Sequence, residues 1–220
     1  LHTVQQITSF QNYLEPLNIK LKPCDDNIID DVWHDRPERP AKPFFPHANQ
    51  FNGLQTSHKI KPILETVASK KADYTVMTNP ESISWLLNIR AHDSPFTPSC
   101  HAFLIIDREG NMNAFTDLNK ITPDVYRHTG NAVRWYSFED FFDILLQFSD
   151  KKIIVDFNQL PQKIFDFLTQ NKAEIIPQSD PCILARALKN KIEQQNAQHI
   201  QEEDSVAVIN FLAWLEQSRS

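Results

Sequence analysis

The 220-residue sequence is poor in glycine, and this shortage excludes several kinds of functional site. Its only glycines are Gly53, Gly110 and Gly130. A loop that cradles a phosphate group needs clustered glycines so that backbone N–H groups can approach the anion. The sequence also contains no GxSxG nucleophile elbow and no HExxH zinc helix. These observations exclude a phosphate-binding loop of that type, an α/β-hydrolase elbow and a zincin site.

Cysteine, long apolar runs and excess positive charge are scarce as well. Cys24, Cys100 and Cys182 have no CxxC spacing and leave one thiol over after any pairing, which is typical of reduced, buried cysteines in a cytosolic protein. No apolar run approaches the ~18 residues of a membrane span, and no signal peptide is recognisable. The 28 acidic and 22 basic residues give a net charge of −6, which argues against nucleic acid. We therefore predict a cytoplasmic protein without membrane or nucleic-acid partners.

The middle of the chain alternates between helical and strand patterns. Apolar residues at helical spacing predict a helix from about Lys59, with Pro62 in its first turn, and further helices begin at Asn79, at Ser137 and at Pro161. Strands are predicted between them, with one hairpin around Gly110. The predicted strand ranges are 74–77, 101–107, 111–116, 133–136, 152–155 and 174–176. This alternation favours an α/β domain on a mixed sheet flanked by helices.

The two ends of the chain have a different character. An apolar stripe over residues 4–14 predicts a helix that Pro16 ends, and residues 19–22 alternate as a short strand would. One helix and one strand cannot bury a core, so we interpret residues 1–33 as the tail of a preceding domain. The proline-rich segment 34–56 then predicts an extended linker with Trp33 as its aromatic anchor.

A long helix is predicted from about residue 190 to residue 217. A helix that is apolar nearly all round is normally buried, so we expect further protein to cover its last turns. The apolar residues of these turns are Val206, Val208, Ile209, Phe211, Leu212, Trp214 and Leu215.

Two motifs about fifty residues apart carry a family resemblance. One is the run Asp30-Asp31-Val32-Trp33-His34-Asp35-Arg36-Pro37-Glu38-Arg39-Pro40, and the other is Trp85-Leu86-Leu87-Asn88-Ile89-Arg90-Ala91-His92-Asp93. In this order they resemble the middle domain of the three-domain X-prolyl aminopeptidases (aminopeptidase P), members of the creatinase or pita-bread metallopeptidase family. The runs 184–190 and 211–216 resemble the first helices of the pita-bread catalytic domain. The family usually has glycine at the position of Ala91, where alanine is strained if φ is positive.

The resemblance implies a domain plan and an activity. It implies a creatinase N-terminal-like (ribonuclease H-like) fold for residues 57–183 and the start of the catalytic domain at 184–220. Such enzymes remove an N-terminal residue that precedes proline, using two divalent ions, typically manganese, to activate water and polarise the scissile carbonyl. The metal ligands lie beyond the first catalytic helices, so no catalytic residue and no metal ligand maps onto this chain, which we predict to be inactive alone. Xaa-Pro peptides are the implied partners, and a homodimer is a further expectation.

Two alternatives stay open at this stage. Pita-bread relatives that have lost their metals act as peptide- or histone-binding modules, and only the presence of the metal ligands separates that reading from the enzyme. A related amidinohydrolase such as creatinase fits less well, because its two-domain chain would not begin with a domain remnant before the linker.

Arg90, His92 and Asp93 are the candidate residues of the substrate cleft. Arg90 lies between an apolar helix end and a proline-rich loop, and its five donors suit a peptide carbonyl or a carboxylate. A salt bridge to Asp93 or a cap on the helix C-terminus is the competing interpretation.

Three other clusters have simpler interpretations. His92, Asp93 and His101 could approach one another across a loop, and His199 lies one helical turn from Glu202, but zinc normally needs three or four ligands. We interpret these clusters as loop-capping and solvated groups. Trp33 lies beside a basic group in the proline-rich segment, and the alternation with proline and glutamate there favours an exposed linker over a nucleic-acid patch. The basic residues are Arg36, Arg39 and Lys42.

Overall fold

The computed structural model describes residues 2–24 and 27–218. Its strands are β1 (Phe45–Pro46), β2 (Tyr74–Met77), β3 (Ile89–Arg90), β4 (Phe103–Asp107), β5 (Met112–Phe115), β6 (Val133–Tyr136), β7 (Lys152–Val155) and β8 (Glu174–Pro177). Six of them form a mixed sheet in the order β6-β5-β4-β2-β7-β8, and β1 pairs with β3 in a separate ribbon. In the large sheet β4 is antiparallel to β2 and β5, whereas β2, β7 and β8 run parallel.

Helices lie on both faces of this sheet. They are α1 (Val4–Leu14), α2 (Ile28–Val32), α3 (Asn49–Asn52), α4 (Thr56–Lys59), α5 (Lys61–Ser69), α6 (Pro80–Leu87), α7 (Pro123–Thr129), α8 (Asp140–Leu145), α9 (Gln162–Gln170), α10 (Cys182–Ala187) and α11 (Lys191–Gln217). The predicted α/β fold on a mixed, helix-flanked sheet is confirmed. None of the helices described is long and apolar enough to cross a bilayer.

Alternation along the strands divides the core into two layers. Successive side chains of a strand point to opposite faces, so Leu104 and Ile106 enter one cluster while Ile105 enters the other. The first cluster includes buried residues of α5, α6, α7 and α10, and the second includes those of α8 and α9. Both layers are needed because a sheet buried on two faces requires helices on each.

Several predicted boundaries are confirmed by local geometry. The hairpin between β4 and β5 turns at Gly110, whose φ of +91° lies in the region that favours glycine. Asn79 caps α6 by accepting the backbone N–H groups of Glu81 and Ser82. Pro62 lies in the first turn of α5, where its missing N–H costs no helical hydrogen bond.

The N-terminal segment differs from the prediction in one element. Helix α1 forms as expected, and buried Val4 donates its N–H to the carbonyl of Leu160, so the helix start is joined to the α/β domain. The strand predicted at residues 19–22 is wrong: these residues are exposed and pair with no strand of the described chain. Alternation alone cannot form a strand without a neighbouring edge that accepts its hydrogen bonds.

The anchor of the proline-rich segment is Phe44 rather than Trp33. Trp33 is 46% exposed and contacts Arg36, so the predicted anchoring role is wrong. Phe44 is only 1% exposed and donates its N–H to the Lys120 carbonyl. From this point the segment is folded, because β1, α3 and α4 lie between residues 45 and 59. The segment is therefore not an extended linker over its whole predicted length.

Two further expectations about burial are corrected. Cys100 and Cys182 are buried, and burial raises the pKa of both thiols, that of Cys100 to about 12. Cys24 is exposed, contrary to the prediction that all three thiols are buried. Helix α11 forms close to its predicted range, with Asn190 as its N-cap, but it has no buried residue in the described chain. The further protein that we expect to cover the last turns of α11 therefore remains a prediction.

Candidate functional site: the Arg90 cleft

A cleft of about 560 Å³ lies between α6, the loop that precedes β4, and the segment from α10 to the start of α11. We call it the Arg90 cleft. Its volume is within the range of about 300–1,000 Å³ that is usual for small-ligand sites. The lining residues are Glu81, Ser84, Trp85, Arg90, Thr97, Pro98, Ser99, Ile183, Arg186, Ala187, Lys189 and Glu193. Arg90 is the one candidate cleft residue of the sequence analysis among them.

Among the described residues, Arg90 makes its hydrogen bonds through Nη1, which leaves the other N–H groups of its guanidinium available. Its Nη1 donates to the carbonyls of Ser84 at 3.1 Å and Ile89 at 2.9 Å. The bond to Ser84 lies near the C-terminal end of α6, so the helix-cap interpretation is correct for this nitrogen. No carboxylate of the described residues lies within 4.0 Å of the guanidinium. A half-buried guanidinium with only carbonyl partners can still bind an anion.

The other charges of the cleft are partly neutralised. Arg186 pairs with Glu81 at 2.5 Å, and Glu193 accepts the N–H of Asn190 in the cap of α11. Burial lowers the pKa of Arg90 from its usual value, and Glu193 acts in the opposite direction. The guanidinium stays charged at neutral pH because arginine is effectively always protonated in proteins. The cleft therefore has an unpaired positive charge at one wall.

The end of α6, which positions Arg90, is fixed by a buried lysine that the sequence analysis missed. Asn88 ends the helix in the left-handed conformation at φ +51°. Lys59 donates from Nζ to the Trp85 carbonyl at 2.7 Å and to Asn88 Oδ1 at 2.6 Å, and its Nζ lies 4.3 Å from the centre of the Trp85 ring. Burial lowers the pKa of Lys59 to about 8. The αL asparagine after an apolar helix was the signal that could have revealed this site.

His47 lies near the positive charges of Arg90 and Lys59. Burial, Arg90 and Lys59 lower the pKa of His47 to about 4. Its backbone N–H donates to the Asn88 carbonyl at 2.7 Å, so it too belongs to the support of α6. His47 is therefore neutral at physiological pH and adds no charge to the region.

Asp93 lies in a buried ion pair rather than at the cleft surface. Its Oδ1 is 2.6 Å from Lys120 Nζ, and its Oδ2 accepts the N–H of His101 at 2.8 Å. Both side chains of the pair are almost completely buried. The competing salt bridge between Arg90 and Asp93 is therefore not formed. Asp93 fixes the loop that leads from β3 to β4, and Lys120 is the partner that sequence spacing did not indicate.

His92 is exposed and faces a different neighbour. Its ring lies 5.3 Å from the ring of Phe45 on β1, and it does not line the Arg90 cleft. Ala91 has no positive φ, so the strain that alanine would meet in that conformation does not arise. The structure thus places Arg90, His92 and Asp93 in three separate environments along one short segment.

The remaining sequence clusters have ordinary structural partners. His101 Nε2 lies 3.3 Å from Ser94 Oγ, and exposed His199 lies 3.4 Å from Glu203 rather than from Glu202. In the residues that the structure describes, no three His, Cys, Asp or Glu side chains are grouped so that they could hold a metal ion. Arg36 pairs with Asp30 and lies 5.8 Å from the Trp33 ring, as expected for an exposed linker.

Comparison with known proteins gives the family. The Creatinase/Prolidase N-terminal domain model matches residues 35–193, and the chain belongs to this family. It is 26% identical over 207 residues to a probable Xaa-Pro aminopeptidase P of Leptosphaeria maculans, covering 89% of this chain and 34% of the relative. It is 28% identical over 211 residues to Xaa-Pro aminopeptidase 1 of Dictyostelium discoideum, covering 91% of this chain and 33% of that protein.

A solved structure agrees with the fold over nearly the whole chain. X-prolyl aminopeptidase from Caenorhabditis elegans, described as a cytosolic enzyme with a di-nuclear active site, matches with a TM-score of 0.87. The identity is 22%, and the match covers 99% of this chain and 36% of that protein. The chain therefore spans about a third of the length of the relatives it matches.

Proposed function

We propose that this chain is the non-catalytic middle region of an Xaa-Pro aminopeptidase, a dimetal hydrolase that removes N-terminal residues preceding proline. The most direct support is the extent of the sequence matches. About nine-tenths of this chain matches proteins of that name, but the match covers only about a third of their length. Two divalent ions, which we expect to be manganese, are then held outside residues 1–220. A cytoplasmic location follows from the same proposal, since one structural relative is cytosolic.

The proposed division of the chain keeps the predicted boundaries. Residues 1–33 end a preceding domain, 34–56 join it to the middle domain and are extended only before Phe44, 57–183 are the middle domain, and 184–220 begin the catalytic domain. The family match supports the first boundary, between residues 33 and 34, because it starts at residue 35. Leu1, Asp25, Asp26, Arg219 and Ser220 lie outside the described residues.

Arg90 is the residue that we propose to act on the substrate side of the middle domain. Its Nη1 is occupied by two carbonyls, and the rest of its guanidinium adjoins the Arg90 cleft. A peptide carbonyl or carboxylate in the cleft would supply the missing acceptor. Asp93 supports this wall by fixing the following loop, and exposed His92 is proposed as a neighbouring contact on the β1 side.

The activity is tested with the longer protein that this proposal requires. Purified with manganese, it should release the first residue of an Xaa-Pro peptide and leave an Xaa-Ala peptide intact. The 220-residue chain alone should release nothing under the same conditions. Binding of a histone or another peptide by the longer protein, without hydrolysis or metal, would replace the proposal with the binding-module alternative.

The role of Arg90 is tested in the same longer protein. Losing a hydrogen bond from a charged group costs about 1.5–3 kcal/mol, so Arg90→Ala should lower kcat/KM by roughly ten- to a hundredfold. Metal content should stay unchanged, and Arg134→Ala, at an exposed position of β6, is the matched control. Lower thermal stability with the kcat/KM of the control would identify Arg90 as a structural cap of α6 alone.

A further inference from the structure

A second, much smaller cavity lies at the carboxyl ends of β2, β7 and β8. Its volume is about 20 Å³, which is enough for one water molecule or one ion. In open α/β sheets, ligands bind outside the carboxyl ends of parallel strands. The polar side chains among the lining residues include Thr78, Asn79, Asp156, Gln159, Gln178 and Asp180. The cavity is thus small, polar and placed where this class of fold binds ligands.

Two aspartates in its wall are buried and joined by a hydrogen bond. Asp156 and Asp180 are each 9% exposed, and the N–H of Asp180 donates to Asp156 Oδ2 at 2.9 Å. Asp156 Oδ1 accepts the N–H of Asn158 at 2.9 Å, and Asp180 Oδ1 accepts the N–H of Cys182 at 2.8 Å. Backbone donors therefore hold both carboxyl groups in place.

The fourth carboxyl oxygen has no partner. Asp180 Oδ2 is buried and makes no hydrogen bond in the described structure. No lysine, arginine or histidine of the described residues lies within 4.0 Å of either carboxyl group. Ionised carboxylates only accept hydrogen bonds, and two of them buried together without a counter-charge are unfavourable. A cation in the cavity would satisfy the free oxygen and offset the negative charge of the two carboxylates.

We propose that this cavity binds one small hard cation, Na⁺, Mg²⁺ or Ca²⁺, between Asp156 and Asp180. Such ions take oxygen ligands, and Ca²⁺ tolerates an irregular set of carboxylate, amide and hydroxyl oxygens. With only two carboxylates, the remaining ligands are the amide and hydroxyl oxygens of the wall and water. The cation links the end of β7 to the residues before α10. Since α10 lines the Arg90 cleft, the ion stiffens one wall of that cleft.

The test is thermal unfolding of the 220-residue chain after treatment with EDTA. CaCl₂, MgCl₂ and NaCl are added separately, and choline chloride keeps the ionic strength constant. The binding cation should raise Tm saturably, by about 5–10 °C at a hundred times its Kd. Calorimetric titration with that cation should give one site per chain. The salt that produces the rise identifies the ion.

Asp180→Asn is the decisive variant because its amide oxygen can still accept the N–H of Cys182. It should abolish the rise in Tm, as should Asp156→Asn, which serves if the first variant does not fold. Asp143→Asn, at an exposed position of α8, should keep the full rise. An equal rise in wild type and Asp180→Asn would place the cation elsewhere and overturn the proposal. No rise with any of the three salts would show that a proton or a water molecule satisfies Asp180, which overturns it as well.

Discussion

The α/β domain and helix α11 contain similar apolar residues in opposite environments. Leu86 on α6 is fully buried, whereas Leu212 on α11 is 55% exposed. Helix α6 packs against the sheet and α10, while α11 is joined to the rest of the described chain near its beginning, where Asn190 donates to the Asn52 carbonyl. Apolar content therefore shows that a helix needs a partner, and only the arrangement of neighbouring elements shows whether that partner is present.

The largest expected effect lies in the domain, at the buried ion pair. Asp93→Ala leaves the charge of Lys120 buried without a partner, so the free energy of unfolding should fall by about 3–5 kcal/mol. Urea denaturation measures the loss. The control is Asp124→Ala, which removes an exposed pair with Arg127 and should cost less than about 1 kcal/mol. Equal losses in the two variants would mean that burial does not distinguish these pairs.

The same substitution, leucine to alanine, measures how much burial matters in the α/β domain and in α11. Leu86→Ala removes a fully buried side chain, and the cavity left behind should cost about 2–5 kcal/mol. Leu212→Ala removes an exposed side chain of the same size, so its effect should stay within about 0.5 kcal/mol. The two variants are compared at concentrations at which the chain is monomeric, where similar values would contradict the exposed position of Leu212.

A pH-dependent effect is expected at Lys59. Its pKa is about 8 in the folded protein and 10.5 as the usual value, so between these values the unfolded chain binds more protons. The free energy of unfolding should therefore rise with pH from about 8 to 10.5, by roughly 1–3 kcal/mol relative to Lys59→Met. The neutral amine can still donate to Trp85 and Asn88. Lys61→Met, at an exposed position, should show no such difference, and a flat curve for Lys59 would exclude the lowered pKa.

The smallest effect on stability is expected from shortening α11. A chain that ends at Gln195 loses the exposed apolar turns but no buried residue of the domain, so its Tm should stay close to that of the full chain. The full chain should form a homodimer through these turns, because burial of apolar surface is worth about 25 cal/mol per Å². Light scattering at several concentrations distinguishes a monomeric shortened chain from a dimeric full chain. Monomers in both cases would contradict the proposed dimer contact.

The elements of the domain could be predicted from local signals. Asn79 followed by Pro80 defines the start of α6, Gly110 defines the hairpin, and the alternation in residues 103–107 defines β4. Each signal acts within a few residues, through a cap, a turn or the period of a strand. The strand expected at 19–22 failed because strand formation also needs a partner, which local alternation does not supply.

The candidate site could be predicted only in part. The sequence identified the segment that carries Arg90 but could not assign its surroundings. Asp93 is close to Arg90 in sequence and was a possible partner for it. In the structure Asp93 pairs instead with Lys120, which is 27 residues away. Likewise Phe44 rather than Trp33 is buried, because Phe44 joins the hydrophobic core and its backbone N–H pairs with the Lys120 carbonyl. Neighbours along the chain are poor guides when several partners of similar chemistry compete.

The sequence by itself determined which segments are helices and strands of the domain, which of their faces are apolar, and which family the motifs resemble. These properties depend on periodicity and on short-range hydrogen bonds, which are properties of consecutive residues. The tertiary structure alone decided that Lys59 supports α6, that Asp93 meets Lys120, and that Asp156 and Asp180 face one small cavity. Such pairings depend on desolvation and on distances between segments far apart in the chain, and no local pattern records them.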